Sequence, residues 1–192
     1  MVDLVGLHKH FILEHLKEGD VAVDFTMGNG NDTLFLSRTV GERGRVFAFD
    51  IQEYAITSTR AKLIEENAPE NYQLICCSHH RAAEFIREPI SAGMFNLGYL
   101  PRSGRKSVTT LCSTTMPAVE TALKLLKPDG VLIVAIYPGH EEGAEEGRML
   151  REYFSGLSRF RICPSEFRIL NSPTSPYFFL LEKSPKCPFG QL

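Results

Sequence analysis

Two glycines that follow an aspartate near the N-terminus have the spacing of a loop that holds a nucleotide-type cofactor. Asp24 ends the apolar run VAVD, and Gly28 and Gly30 follow it just before a segment with the pattern of a helix. Glycines let a backbone approach a ligand closely and adopt positive φ, and an acid at the end of a strand attracts an ammonium group. The spacing therefore predicts a cofactor loop, and the alternative is an ordinary strand-to-helix turn that needs glycines.

The register of the glycines decides which cofactor the loop favours. The dinucleotide fingerprint G-x-G-x-x-G would place its third glycine at Thr33, so NAD is a weak match. Counted from Asp24, the loop resembles the D-x-G-x-G-x-G signature of S-adenosylmethionine (SAM) methyltransferases, with Thr26 at the first glycine. Helix capping is an alternative role for Asp32. We expect SAM, with S-adenosylhomocysteine as product, and predict contacts from Asp24, Thr26, Gly28, Asn29, Gly30, Asn31, Asp32 and Thr33.

A second acid supports a cofactor that contains adenosine. Asp50 ends the run RVFAF twenty residues after the second glycine, where an acid accepts hydrogen bonds from both ribose hydroxyls. Ile51 and Gln52 would then lie against the adenine, and Ser78 and His79, after the next strand, are predicted to hold its edge. For the histidine, a role at a helix start or in packing is the alternative. The ribose of SAM is like that of NAD, so Asp50 fits both cofactors, and a solvated acid at a strand end is the alternative.

The acceptor of the methyl group is indicated by the segment Asn96-Leu97-Gly98-Tyr99. It occupies the slot where amino-group methyltransferases carry [N/D]-P-P-[Y/F], with Leu-Gly in place of Pro-Pro. An amide oxygen and a backbone carbonyl at this slot accept the two N–H bonds of an amine and aim its lone pair at the methyl carbon. Asn96 is therefore predicted to be catalytic and to border the cofactor, and Tyr99 to pack on the acceptor.

Six further residues are candidates for contact with the substrate. Arg102, Arg105 and Lys106 follow Pro101 beside the predicted transfer point and would suit RNA phosphates, with a solvated basic loop as the alternative. His140, at the end of the fifth strand, is the best-placed general base, or else a structural histidine in a turn. Pro101 and Tyr177 complete the predicted substrate pocket.

Short apolar runs alternate with segments of helical period, which is the pattern of a parallel sheet covered on both faces. Helices are predicted at about 7–17, 31–39, 52–66, 80–87, 107–126 and 141–156. Strands are predicted at VAVDF (21–25), RVFAF (45–49), YQLICC (72–77), GMFNL (93–97) and VLIVAIY (131–137). Two further strands close in sequence, SRFRICPSEFRIL and PYFFLLEK, predict a C-terminal hairpin. This is the layout of a Rossmann-like class I SAM methyltransferase, an α/β fold with a mostly parallel seven-stranded sheet and a C-terminal antiparallel strand.

Composition limits the alternatives further. The 192 residues suit one domain, residues 1–192. The formal net charge of −2 gives the chain no overall positive potential of the kind that attracts nucleic acids. Five cysteines without C-x-x-C spacing favour neither disulfides nor a metal site, so we predict no metal. No signal peptide or membrane span is evident, which leads us to expect a soluble cytoplasmic protein.

Motifs along nearly the whole chain resemble one family. DFTMGNGNDTLFLS, AFDIQ, the Ser-His of CSHH, MFNLGYLP, the TT at 114–115, YPGH and SPYFFLLEK are similar to small bacterial SAM-dependent methyltransferases long described as rRNA methylases. At least some of these are tRNA methyltransferases that act on 5-aminomethyl-2-thiouridine at the wobble position. The resemblance implies N-methylation of that exocyclic amine, with the tRNA anticodon region as partner. The chain departs from the family by carrying RSGRK after Pro101 and SPYF in place of PPF.

The expected reaction is direct methyl transfer from SAM to a neutral amine. A cysteine adduct is disfavoured, because no cysteine lies in the fourth-strand motif. A homodimer would help to hold an RNA, and the sequence does not indicate the number of subunits. The alternatives are methylation of rRNA or of a small molecule, and a SAM-binding protein without turnover.

Overall fold

A computed structural model describes residues 4–97, 112–139 and 141–192. The strands within these ranges are β1 (Val21–Asp24), β2 (Arg45–Asp50), β3 (Tyr72–Cys76), β4 (Ile90–Leu97), β5 (Leu126–Ile136), β6 (Ile162–Phe167) and β7 (Tyr177–Lys183). The helices are α1 (Leu4–His15), α2 (Asn31–Val40), α3 (Glu53–Glu65), α4 (Ala82–Phe85), α5 (Cys112–Leu125) and α6 (Glu141–Ser155), with a 3₁₀ turn at His79–Arg81 before α4.

The described strands form one seven-stranded sheet with the order β3-β2-β1-β4-β5-β7-β6. β7 runs antiparallel to both of its neighbours, and the other pairs are parallel. The predicted class I methyltransferase topology is therefore confirmed, including its antiparallel C-terminal strand. The chain leaves β1 toward β2 and leaves β4 toward β5, so the strand order reverses between β1 and β4, which is where ligands bind in open α/β sheets.

The two faces of the sheet have separate cores, because side chains alternate along each strand. One core joins Ala22 and Met94 of the sheet with Ile12 of α1 and Leu36 of α2. The other core joins alternate sheet residues with α5 and α6, and its members include Val134, Val119 and Leu150. The side chains of Asp24 and Asn96 belong to the first face by this alternation, since Asp24 pairs with Met94 and Asn96 lies two residues beyond it.

Several elements differ from their predicted bounds. The first helix, predicted at 7–17, spans Leu4–His15, and the strands predicted to begin at 93 and 131 begin at Ile90 and Leu126. The predicted helix at 80–87 is a 3₁₀ turn followed by the single-turn α4, which ends at Phe85. The predicted helix at 107–126 is described from Cys112 and ends at Leu125, because Leu126 already pairs with Ile90 at the start of β5. Residues 107–111 lie outside the described ranges.

No helix among the described residues is long and apolar enough to cross a lipid bilayer. The organisation of residues 1–192 as one domain stays a prediction.

Candidate active site

Asp24 stands at the carboxyl end of β1 and anchors the loop that follows. It is fully buried, and its two carboxylate oxygens accept hydrogen bonds from the Thr33 hydroxyl at 2.6 Å and from the Thr26 backbone N–H at 3.1 Å. Thr33 belongs to the first turns of α2, so Asp24 joins the loop to the helix that the loop introduces. Without exposed surface, Asp24 influences a ligand through the backbone that it holds and through its charge.

The charge of Asp24 is sensitive to its surroundings. Burial, followed by the negative charges of Asp32 and Asp50, raises the pKa of Asp24 to about 7, although the bonds from Thr33 and Thr26 oppose the rise. A cationic ligand would favour the ionised carboxylate. The amino-acid part of SAM carries an ammonium group, so the charge of Asp24 suits this cofactor.

Two glycines at positive φ bend the loop between β1 and α2. Gly28 has φ 50° and Gly30 has φ 76°. A Cβ on Gly30 would lie 2.8 Å from the Thr59 side chain, and the Thr59 hydroxyl donates to the Gly28 carbonyl at 3.1 Å. α3 therefore packs directly on the loop. Gly28 is needed for its conformation, and Gly30 for both conformation and space. Asn29 is half-buried in the same loop, while the Asn31 side chain is exposed and accepts a hydrogen bond from Lys62.

Asp50, at the carboxyl end of β2, connects this loop to the next one. Its carboxylate accepts hydrogen bonds from the backbone N–H groups of Gly28 at 3.1 Å and Gln52 at 3.0 Å. Burial raises the pKa of Asp50, and these backbone bonds oppose the rise. Each carboxylate oxygen can accept more than one hydrogen bond, so the ribose diol of an adenosine can still be held here.

The residues predicted to hold the adenine have different environments. Ile51 is 57% exposed, so its apolar surface is free to cover a ring. The Ser78 hydroxyl bonds with His80 at 2.9 Å. His79 is buried, with Nδ1 3.2 Å from the Phe25 carbonyl and its ring edge-on to Phe95. The structure thus places His79 in the core beneath the loop, and burial lowers its pKa to about 4, which keeps it neutral.

Asn96 lies near the carboxyl end of β4 and is held at both its backbone and its side chain. Its backbone N–H donates to the Thr26 hydroxyl at 2.7 Å, so the threonine that replaces the first motif glycine ties the cofactor loop to β4. Its side-chain Nδ2 donates to Asp32 at 2.7 Å. The Tyr137 hydroxyl, just past β5, lies 3.4 Å from the Asn96 amide oxygen.

Two residues beside Asn96 were not predicted from the sequence. Lys9 of α1 forms an ion pair of 3.4 Å with Asp32 and lies over the Phe35 ring. Tyr137 lies in the predicted strand VLIVAIY and in YPGH, and the sequence indicates no site role for it. Burial together with the charge of Asp32 raises the pKa of Tyr137, so its hydroxyl stays protonated. Neither residue belongs to a motif with cofactor spacing, and only the packing of α1 and β5 against the site brings them there.

The structure does not bring Tyr177 together with Asn96. Asn96 pairs with Ala135, which in turn pairs with Phe178, whereas Tyr177 pairs with Ile136 and so points to the opposite face of the sheet. There Tyr177 is 5% exposed, against α6. The guanidinium groups of Arg151 and Arg168 lie 6.0 Å and 5.0 Å from the centre of its ring. The alternation of side chains along β7 explains why the substrate contact predicted for Tyr177 does not reach the Asn96 face.

The other predicted acceptor-side residues cannot be placed. Tyr99, Pro101, Arg102, Arg105, Lys106 and His140 lie outside the described residues. Within the described residues, no group of three or more His, Cys, Asp or Glu side chains has a metal-binding arrangement.

The described residues fit SAM on three observations. The loop after β1 has glycines at positive φ, a buried acid of raised pKa lies beneath it, and a second acid at the end of β2 is followed by an exposed apolar residue. SAM would be held by the glycine loop, Asp50 and Ile51, with the methyl group toward the end of β4. These elements meet where the strand order reverses.

Comparison with known proteins bears on the family and the cofactor. Residues 46–183 match the model of the family described as "Putative rRNA methylase". The chain is 36% identical over 185 residues to the chloroplastic tRNA (mnm(5)s(2)U34)-methyltransferase of Arabidopsis thaliana, an alignment that covers 91% of this chain and 67% of the plant protein.

Solved structures from bacteria are similar over nearly their whole length. A crystal structure described as a "putative rRNA-methylase" from Clostridium thermocellum superposes with a TM-score of 0.91 at 39% identity, covering 95% of this chain and 98% of that one. A protein from Streptococcus mutans described as "a putative methyltransferase", solved with S-adenosylhomocysteine (SAH), has a TM-score of 0.86 at 34% identity. The alignment covers 95% of this chain and 99% of that one. The cofactor of this chain is accordingly SAM, as the loop spacing predicted.

Proposed function

Because this chain belongs to the Putative rRNA methylase family of SAM-dependent methyltransferases, we propose that it is an RNA N-methyltransferase acting on the tRNA wobble position. The proposed acceptor is the exocyclic amine of 5-aminomethyl-2-thiouridine. Two facts support this substrate: the name of the Arabidopsis relative, and the presence of an asparagine at the end of β4.

The observation that carries the proposal is the hydrogen bonding of Asn96. Its Nδ2 donates a hydrogen bond to Asp32, so its amide oxygen points toward Tyr137 and the end of β5. An oxygen in that position accepts an N–H bond from an incoming amine. This holds the nitrogen in one orientation, and orientation of reactants is a large part of the rate enhancement in group transfer.

When bound, SAM would supply an electrophilic methyl carbon to the amine nitrogen, with SAH as the leaving group. The residues of this chain orient and desolvate the amine. Asn96 accepts one N–H bond, and the buried end of β4 excludes water from one side of it. The amine must be neutral to react, and His140 is proposed as the base that removes its proton.

The remaining contacts are proposed on the RNA side. Tyr99 would pack on the acceptor base with Pro101 beside it, and Arg102, Arg105 and Lys106 would contact phosphates of the anticodon region. Binding to phosphates weakens steeply with salt, because it releases counterions. A homodimer would enlarge the surface available to an RNA.

Labelled methyl transfer tests this function. The full chain is incubated with methyl-labelled SAM and a tRNA that carries 5-aminomethyl-2-thiouridine, and the tRNA is then digested to nucleosides. We expect label in 5-methylaminomethyl-2-thiouridine and none in the same tRNA transcribed without the wobble modification. Label that enters only rRNA, or only small molecules, would exclude the wobble amine as the acceptor.

A further inference from the structure

We propose that Asp32 is a positioning residue that fixes the direction of the Asn96 amide and thereby selects acceptors that have an N–H to donate. This inference rests on the proposed function, in which Asn96 binds the amine. It gives Asp32 a role different from the cofactor contact expected from its place in the glycine loop.

The chemistry of the two side chains permits only one arrangement. An ionised carboxylate accepts hydrogen bonds and cannot donate, whereas an amide has a donating end and an accepting end. The distance of 2.7 Å between Asp32 and the nitrogen of Asn96 is therefore a donor–acceptor contact. If the amide rotated by half a turn, its oxygen would face the Asp32 oxygen at that distance, which is repulsive and leaves both acceptors unsatisfied.

Asp32 is itself held in place. It lies in the first turn of α2, and its side chain is 13% exposed. One oxygen accepts from Asn96 and the other is 3.4 Å from the Lys9 ammonium group. The N-terminal turn of a helix favours negative charge, so α2 and Lys9 both stabilise a carboxylate at this position.

The backbone of Asn96 is fixed independently of its side chain. Its N–H donates to the Thr26 hydroxyl at 2.7 Å, and the residue is part of β4. With the backbone held by Thr26 and the amide nitrogen held by Asp32, the amide oxygen has one direction left, toward the Tyr137 hydroxyl. Such preorganisation means that little has to be reordered when the acceptor arrives.

The consequence is selectivity for the acceptor. A site that presents an oxygen binds N–H donors and rejects groups that offer only a lone pair. The bond from Nδ2 to a carboxylate also polarises the amide, which strengthens the hydrogen bond that its oxygen accepts. Reversing the amide would present a donor to the amine lone pair, and that lone pair would then be unable to attack the methyl carbon.

A swap of the two side chains tests this role. Asp32→Asn lets the amide turn either way, so we expect kcat to fall about tenfold or more while the Kd of SAM stays within about twofold. Asn96→Asp alone places two carboxylates in contact and should also lower kcat. The double variant Asp32→Asn/Asn96→Asp restores a donor at position 32 and an oxygen at position 96, so most of the lost kcat should return.

The matched control is Glu42→Gln, which removes a negative charge from an exposed site just beyond the same helix. Its kcat should equal that of the unchanged protein. Asp32 would not be a positioning residue if Asp32→Asn kept full kcat, or if the losses of the two single variants multiplied in the double variant. A large rise in the Kd of SAM for Asp32→Asn would likewise overturn the proposal and favour a cofactor contact.

A second measurement separates this inference from the proposed substrate. The Asn96 side-chain amide is identified by nuclear magnetic resonance as the signal pair that Asn96→Asp removes, in the full chain with S-adenosylhomocysteine bound. We expect one of its two protons to exchange slowly with water, and both to exchange rapidly in Asp32→Asn. Rapid exchange of both protons in the unchanged protein would overturn the role of Asp32, whatever the substrate. Slow exchange in a protein that leaves wobble amines unmethylated would support that role and exclude the proposed substrate.

Discussion

The cofactor side and the acceptor side of the site are built from different kinds of interaction. On the cofactor side, the carboxylates of Asp24 and Asp50 accept hydrogen bonds from backbone N–H groups of the loops after β1 and β2, and Asp24 also accepts one from the Thr33 hydroxyl. On the acceptor side, Asn96 is held by the side chains of Thr26 and Asp32, with Tyr137 beside it.

SAM binding and catalysis should therefore respond differently to substitutions in the site. A backbone N–H donates whatever side chain its residue carries, so the cofactor loop tolerates substitutions such as Thr26 for glycine. The acceptor side depends on individual side chains, so one substitution there should change catalysis and leave SAM binding almost intact. Each of the following measurements tests that separation.

The largest effect is expected for Asn96→Ala. Loss of the amide oxygen removes the proposed amine contact, so kcat should fall about 10²–10³-fold, as when one preorganised hydrogen-bonding group is removed from other active sites. The Kd of SAM, measured by calorimetry, should change less than about threefold. Asn171→Ala, at an exposed position, is the control. Parallel losses of SAM affinity and rate would show that the two sides are not separate.

The next largest effect is expected for Asp50→Ala, on binding. The proposed contacts with the ribose are hydrogen bonds to a charged group, each worth about 1.5–3 kcal/mol, so the Kd of SAM should rise about 10²-fold or more. Glu53→Gln alters an exposed acid three residues further along the chain and should leave the Kd unchanged. An unaltered Kd in Asp50→Ala would refute the assignment of the ribose contact.

A smaller effect is expected for Thr26→Val, which tests the link between the two sides. The variant removes the hydroxyl that accepts the Asn96 backbone N–H and preserves the shape of the side chain. We expect kcat to fall about tenfold, because small displacements of a positioning group are costly. The Kd of SAM should stay nearly constant, and Thr26→Ser should restore the rate. If Thr26→Val weakens SAM binding more than catalysis, Thr26 belongs to the cofactor side alone.

An effect on folding stability, and not on kcat, concerns pH and Asp24. Its pKa rises from the ordinary 3.8 to about 7 in the folded chain, so between these values the folded state binds a proton that the unfolded state releases. The free energy of unfolding should therefore fall as pH rises from about 4 to about 7, and Asp24→Asn should flatten that part of the profile. Chemical denaturation at a series of pH values measures this slope.

The same group links SAM binding to protons. An ammonium near Asp24 favours the carboxylate, so SAM should bind a few-fold more tightly as pH rises through about 7, with release of a proton. Calorimetry in two buffers of different ionisation enthalpy counts the released proton. If Asp24→Asn releases as many protons as the unchanged chain, another group is responsible.

Much of the fold could be predicted because its pattern is local. The alternation of apolar runs with helical segments located the strands, and the close pair of C-terminal strands predicted the antiparallel β7. Element ends were less accurate. Whether Leu126 ends α5 or begins β5 depends on its pairing with Ile90, a partner distant in the sequence.

The candidate site was only partly predictable, for a similar reason. Asp24, Asp50 and Asn96 stand at strand ends, and the carboxyl ends of neighbouring parallel strands meet at one edge of a sheet, so their spacing was informative. Lys9 and Tyr137 carry no such signal. Ser78 and His79 were predicted from their place after a strand, and the structure shows His79 turned into the core.

The sequence by itself determined the class of fold, the SAM cofactor and the strand ends that border it, because these follow from periodicity and from short spacings along the chain. Which side chains lie together on one face of the sheet depends on how the strands and helices pack in the tertiary structure. Alternation along β7 puts Tyr177 on the far side from Asn96, and the packing of α1 and α2 brings Lys9 and Asp32 to it. The direction of the Asn96 amide depends on those neighbours, and hydrogen bonds between residues far apart in sequence form only after the elements have packed.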